Sequence, residues 1–200
     1  VSWKNWIERG SSPCSPQIPT FRPWRRLRPS HVAICTSWPT PSTSSTWNGS
    51  SSKIPASTYA GSAALVQAPT SNRHDLRAAI EQLQLQHATA VGSGILVSLK
   101  ALFPQEEFDV RKKPQGKPAA PGSYTAGAII LLTDGQTTAG PDPVDAARLA
   151  AERGVRVFTV GVGTPEGEIL TGEGWSIRVR LDEDALRQIA ELTGGEYFHA

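Results

Sequence analysis

The stretch Ala128-Ile129-Ile130-Leu131-Leu132-Thr133-Asp134-Gly135-Gln136 limits the possible folds more than any other part of the chain. A short, unbroken apolar run stops abruptly at Thr-Asp-Gly. A buried parallel strand reads this way when it carries a carboxylate to the carboxyl edge of an open α/β sheet. Ligands of such folds gather at that edge. Asp134 is therefore the first residue to ask about.

Local signals after Ser57 alternate between strands and helices. Leu65 and Val66 lie in a short apolar run over residues 60–68, closed by Pro69, which predicts a strand. Asn72 is placed to cap a helix carrying Leu76, Ile80 and Leu83 at helical spacing. Thr89, Ala90, Val91 and Gly92 form the expected loop before a second helix marked by Ile95, Leu96, Leu99, Leu102 and Phe103. Residues 104–122 are polar and Pro-rich and predict an exposed loop. Asp142 with Pro143 behind it starts a further helix, which Gly154 ends. Residues 155–160 read as a strand, 161–174 as turns, and 177–181 as an edge strand. Asp182 caps a last helix with Leu186, Ile189 and Leu192 on one face, and Gly194-Gly195 stops it. This order predicts an α/β fold: a Rossmann-like, open, mostly parallel sheet with helices on both faces.

Composition divides the chain near residue 57. Residues 1–56 hold seven Lys or Arg against one acid, Glu8, whereas residues 57–200 hold thirteen against seventeen. Both cysteines, five of the six tryptophans and a dozen serines fall in the front part. Its longest periodic run is His31-Val32-Ala33-Ile34. A Ser/Pro/Arg-rich segment of this kind offsets its chain entropy poorly. Residues 1–56 are accordingly expected to be low-complexity, disordered or non-native, with the folded unit at 57–200. Trp24-Arg25-Arg26-Leu27-Arg28 pairs an aromatic with cations as single-strand binders do, but stands alone, so no nucleic-acid partner is expected. Cys14 and Cys35 lack companion ligands for a zinc site. Neither a signal peptide nor an apolar run of membrane-spanning length is legible, and the chain is expected to be soluble as given.

Two hard oxygen donors stand out. Asp134 follows the buried strand and Thr89 precedes a helix, and together they could share one Mg²⁺, which favours few protein ligands and retained waters. Their loops would be shaped by Gly135 and Gly92. Each also has a plainer role: Asp134 as the stabiliser of its own turn, Thr89 as a helix cap. Gly161-Val162-Gly163 opens into Thr164-Pro165 instead of a helix, which argues against a dinucleotide loop. His87 lies near Thr89, but a lone histidine in a loop is usually just polar.

The ordered set Ala88-Thr89-Ala90-Val91-Gly92, Leu132-Thr133-Asp134-Gly135, residues 154–163 and Leu192-Thr193-Gly194-Gly195 resembles the von Willebrand factor type A domain. The nearest likeness is to its bacterial aerotolerance-type, or calcium-activated chloride channel-like, branch. It runs from about Tyr59 to His199. The resemblance implies a metal-ion-dependent adhesion site at the top of the sheet, built from an Asp-x-Ser-x-Ser motif after the first strand, a Thr in a later loop and an Asp after the central strand. Thr89 and Asp134 match the last two. None of the seven aspartates (75, 109, 134, 142, 145, 182, 184) begins Asp-x-Ser-x-Ser. If residues 31–34 stood in for the first strand, Cys35-Thr36-Ser37 would follow it. The resemblance thus implies a protein-binding module, not an enzyme, with an incomplete site for Mg²⁺, Mn²⁺ or Ca²⁺ completed by an acidic residue of a partner protein. It also implies work beside a MoxR-type AAA+ ATPase in assemblies anchored at the bacterial inner membrane. The alternatives are a defective fragment and, more remotely, a hydrolase of the doubly wound fold using Asp134.

Overall fold

In chain order the elements are β1 (Val32–Ser37), β2 (Ile54–Tyr59), β3 (Ala63–Thr70), α1 (Arg73–Glu81), α2 (Val91–Leu102), β4 (Gly127–Thr133), α3 (Pro143–Glu152), β5 (Arg156–Gly161), β6 (Glu168–Gly172), β7 (Trp175–Val179), α4 (Glu183–Thr193) and β8 (Tyr197–His199). The structure is a computed structural model. It describes residues 53–83, 88–111, 118–134, 136–163 and 181–200 with their side chains, and residues 32–37, 168–172 and 175–179 as strands.

The apolar run does form a central strand. β4 pairs with β1 on one side and β5 on the other, in a six-stranded sheet of order β3-β2-β1-β4-β5-β8. The pairs β4–β5 and β5–β8 are parallel; β1–β2, β1–β4 and β2–β3 are antiparallel. It follows that β2, β4, β5 and β8 all point the same way, while β1 and β3 run against them. The carboxyl ends of β2 and β4 therefore share one edge of the sheet.

Side chains alternate between the two faces of a strand. On one face, Tyr59, Ile129, Leu131 and Val157 are fully or almost fully buried against α2, α3 and α4, where Ile95, Leu99, Ala146, Ala150 and Ile189 are fully buried. Each buried Ile or Leu contributes about 1.5–3 kcal/mol. Hydroxyls inside this core are satisfied in place: Ser57 Oγ and Ser98 Oγ lie 3.2 Å apart, and Thr159 donates to the Leu186 carbonyl at 2.9 Å. The other face carries α1. Ala56, next to the α2-facing Ser57, pairs with Gln67, and Gln67 lines a cleft against Asp75, Ala78 and Ala79 of α1.

Helix starts follow their caps. Asn72, Asp142 and Asp182 each accept a hydrogen bond from a first-turn amide, those of His74, Val144 and Ala185, at 2.8–3.1 Å. This satisfies donors that a helix leaves unpaired at its start.

Two expectations need correction. α2 begins at Val91, so Val91 and Gly92 belong to the helix and not to the loop before it. The turn-rich stretch after residue 161 contains β6, and β7 pairs with β6 in a separate two-stranded sheet instead of edging the main one. With only two residues between these strands, hairpin pairing is the local and cheap solution. β2 spans the compositional break at 57, and β1, at residues 32–37, stands in the middle of the sheet.

Candidate functional site

β4 ends at Thr133, and its exit is fastened on the β5 side by the Val162 amide, which donates to the Thr133 carbonyl at 2.8 Å. Asp134 follows at once, half-buried at the carboxyl edge. The chain then folds back over the entrance to α2. Four residues past Asp134, Thr138 receives the Thr89 amide on its Oγ1 at 2.9 Å. In return the Thr89 carbonyl accepts from the amides of Thr138 at 2.9 Å and Ala139 at 3.2 Å. Thr89 itself is buried. Three hydrogen bonds of roughly 1 kcal/mol each thus strap the segment after Asp134 to the segment holding Thr89. The two candidate donors, 45 positions apart in sequence, are carried by loops bonded to each other at one edge.

Gly92 makes the strap possible. A Cβ at that position would lie 2.3 Å from the Pro141 carbonyl oxygen, so only glycine lets residues 138–141 lie this close to the first turn of α2. Gly135 and His87 lie outside the described residues. Ala88 has φ +73°, in the left-handed region that side chains resist.

Sequence reasoning missed Tyr59. It ends β2 at the same edge, is fully buried, and donates its hydroxyl hydrogen to the Leu132 carbonyl. Burial pushes the phenol far above its ordinary range, a hydrogen bond with Thr133 works against that, and the Asp134 charge adds to it. Nothing local to Ser57-Thr58-Tyr59-Ala60 distinguishes this tyrosine from an ordinary core aromatic; its role depends on strand order.

As a cation site, the donor set is right in kind and short in number. Asp134 brings one carboxylate and Thr89 a hydroxyl, both hard oxygens. Among the described residues, no group of three His, Cys, Asp or Glu is placed to hold a metal ion. Of the front segment, the described strand β1 carries its last three residues away from this edge. β1 runs antiparallel to β4, with Val32 opposite Leu132 and Ser37 opposite Gly127. Cys35, Thr36 and Ser37 therefore lie toward the end of β4 farthest from Asp134. Two hard oxygens of this kind would leave most of a divalent ion's coordination to water or other groups.

At the neighbouring end of β8, His199 Nε2 lies 2.9 Å from the Gly163 carbonyl and 3.8 Å from Glu183. Arg187 binds Glu183 at 2.7 Å and stacks 5.0 Å from the Tyr197 ring centre. These contacts tie α4 to the β5 and β8 ends. No helix among the described residues is long and apolar enough to cross a membrane.

The profile of the von Willebrand factor type A domain matches residues 50–200. The UPF0353 protein of Nocardia farcinica (strain IFM 10152) is 36% identical over 158 residues, covering 72% of this chain and 44% of the relative. That of Mycolicibacterium gilvum (strain PYR-GCK) is 34% identical over 155 residues, covering 71% and 41%. The chain thus spans less than half the length of these curated relatives. Among solved structures, the conserved hypothetical protein BatB from Bacteroides thetaiotaomicron superposes with a TM-score of 0.53 at 27% identity, covering 72% of this chain and 68% of that one. An aerotolerance-related membrane protein from Bacteroides fragilis NCTC 9343, bearing multiple mutations to serine, gives 0.54 at 24% identity and coverages of 72% and 69%, a likeness of fold alone.

Proposed function

The chain belongs to the von Willebrand factor type A domain family, and on that premise we propose that it is a protein-binding module, not an enzyme, whose working surface is the carboxyl edge at Thr89 and Asp134. The observation that carries this reading is the strap between Thr89 and Thr138, which holds a hydroxyl loop and a carboxylate loop together at one edge. Thr89 and Asp134 would hold Mg²⁺, Mn²⁺ or Ca²⁺, and a bound cation would supply a positive point to which a carboxylate can attach. Asp134 presents an anion there, and the strap fixes the loops so that a partner does not have to order them. Because the chain offers few ligands, an acidic side chain of the partner completes the coordination. A MoxR-type AAA+ ATPase in a membrane-associated assembly is the partner class this reading favours.

The test is an array of peptides with and without Asp or Glu, probed with the chain in Mn²⁺ and in EDTA. Acid-containing peptides are expected to bind only with Mn²⁺, and about tenfold or more weakly to Asp134→Ala. Binding unchanged by both EDTA and Asp134→Ala would overturn the proposal.

A further inference from the structure

We propose that Tyr59 is a positioning residue for the Asp134 edge: from β2, its hydroxyl reaches across the place of β1 to hold the last rung of β4. The inference deepens the reading above and rests on it for the purpose of that edge, but its geometry stands by itself.

Successive carbonyls of a strand point to opposite sides in the plane of the sheet. The Thr133 carbonyl is bonded toward β5 by the Val162 amide, so the Leu132 carbonyl faces the β1 side. There Val32↔Leu132 is the last pair of β1 with β4 among the described residues. At this last described rung the Tyr59 hydroxyl reaches the Leu132 carbonyl. Its second contact is a hydrogen bond with the Thr133 side chain. One phenol thus grips both residues that precede Asp134.

The ring is held as firmly as the hydroxyl. Tyr59 is fully buried in the core beneath α2. A Cβ on Gly94 would stand 2.6 Å from its Cδ1, so a glycine in the first turns of α2 makes room for the ring. Gly94 carries a helix-propensity penalty of about 1 kcal/mol, which the room it makes for Tyr59 accounts for. Phenylalanine at position 59 would fill the same core volume; only tyrosine adds the grip on β4.

The test removes that hydroxyl alone. Tyr59→Phe keeps the ring, and Thr133→Val removes its side-chain partner if the first variant does not fold. Hydrogen exchange is followed at the amides of Thr133 and Gln136 to Thr138, with the core of α4 as internal reference. Loss of one buried hydrogen bond is expected to speed exchange there about fivefold to tenfold while α4 amides move far less. In the same samples, Mn²⁺ broadening of those amides should need at least about fivefold more Mn²⁺, an effect that a purely structural tyrosine would not have on the folded protein. Unchanged local exchange in the variant would overturn the proposal, as would faster exchange with unchanged Mn²⁺ response. Broadening that persists in Asp134→Ala would instead sink the reading of the edge, and the exchange data would still decide the role of Tyr59.

Discussion

Ala88 sits at φ +73°, one residue before Thr89 and under the strap from Thr138. A left-handed alanine costs about 1–2 kcal/mol, and such strain persists only where the surroundings fix it. Ala88→Gly should therefore stabilise the folded chain by about 0.5 kcal/mol, the relief being partly offset by the greater freedom of glycine in the unfolded chain. Thermal melting checks this: the midpoint is expected to rise by a degree or two, and a fall would show that Ala88 is not strained. At this scale the sequence announced what chemistry makes conspicuous. Asp134 at the end of an apolar run and Thr89 before a helix are legible because their residue types contrast with their surroundings. Tyr59 and Thr138 were not, because each acts on a partner brought near by strand order or loop return, at separations of 73 and 49 residues.

Among the elements, α4 concentrates a cap, two first-turn acids and an ionic cluster in one turn. Asp182 caps it, and Glu183 and Asp184 follow in the first turn, where negative charge meets the positive end of the helix. A hydrogen bond from Arg187 holds the Glu183 carboxyl below its ordinary range against some desolvation, with Tyr197, the Arg187 charge and His199 adding to the effect. Burial, and then the charge of Glu183, push the Tyr197 phenol up to about 12. A carboxyl whose folded value is depressed contributes stability above its unfolded value and loses it as pH falls through the folded one. Glu183→Gln should then lower the melting midpoint at neutral pH and make no difference once pH is below the carboxylate range. An equal loss at both would contradict this account of the cluster. The caps Asn72, Asp142 and Asp182 were readable because capping is a local exchange between a side chain and the next amides. The start of α2 was misread because Gly92 and Gly94 look like loop residues; they are helical, and their bare Cα atoms admit Pro141 and Tyr59. The β6–β7 hairpin was hidden by the glycines around it.

For the molecule as a whole, the decisive feature is the direction of β1. The family profile, the parallel set β4–β5–β8 and the helices against it establish a type A domain. Yet the strand beside β4 runs backward, which sends Cys35, Thr36 and Ser37 away from the edge where Asp134 stands. No periodicity or composition foretold this, because strand direction is set by how the chain threads the sheet and not by the pattern of the strand itself. Our account is therefore that of a binding edge held together by the Thr138 strap and the Tyr59 grip, but short of anionic ligands by itself. Hard divalent cations such as Mg²⁺ are held tightly by well-placed anionic oxygens, and Asp134 is the one carboxylate our reading assigns to the edge. Calorimetric titration of the chain with Mn²⁺ tests this most directly. The account predicts a shallow isotherm with a dissociation constant of about a millimolar or weaker. A tight, one-to-one isotherm abolished by Asp134→Ala would contradict it.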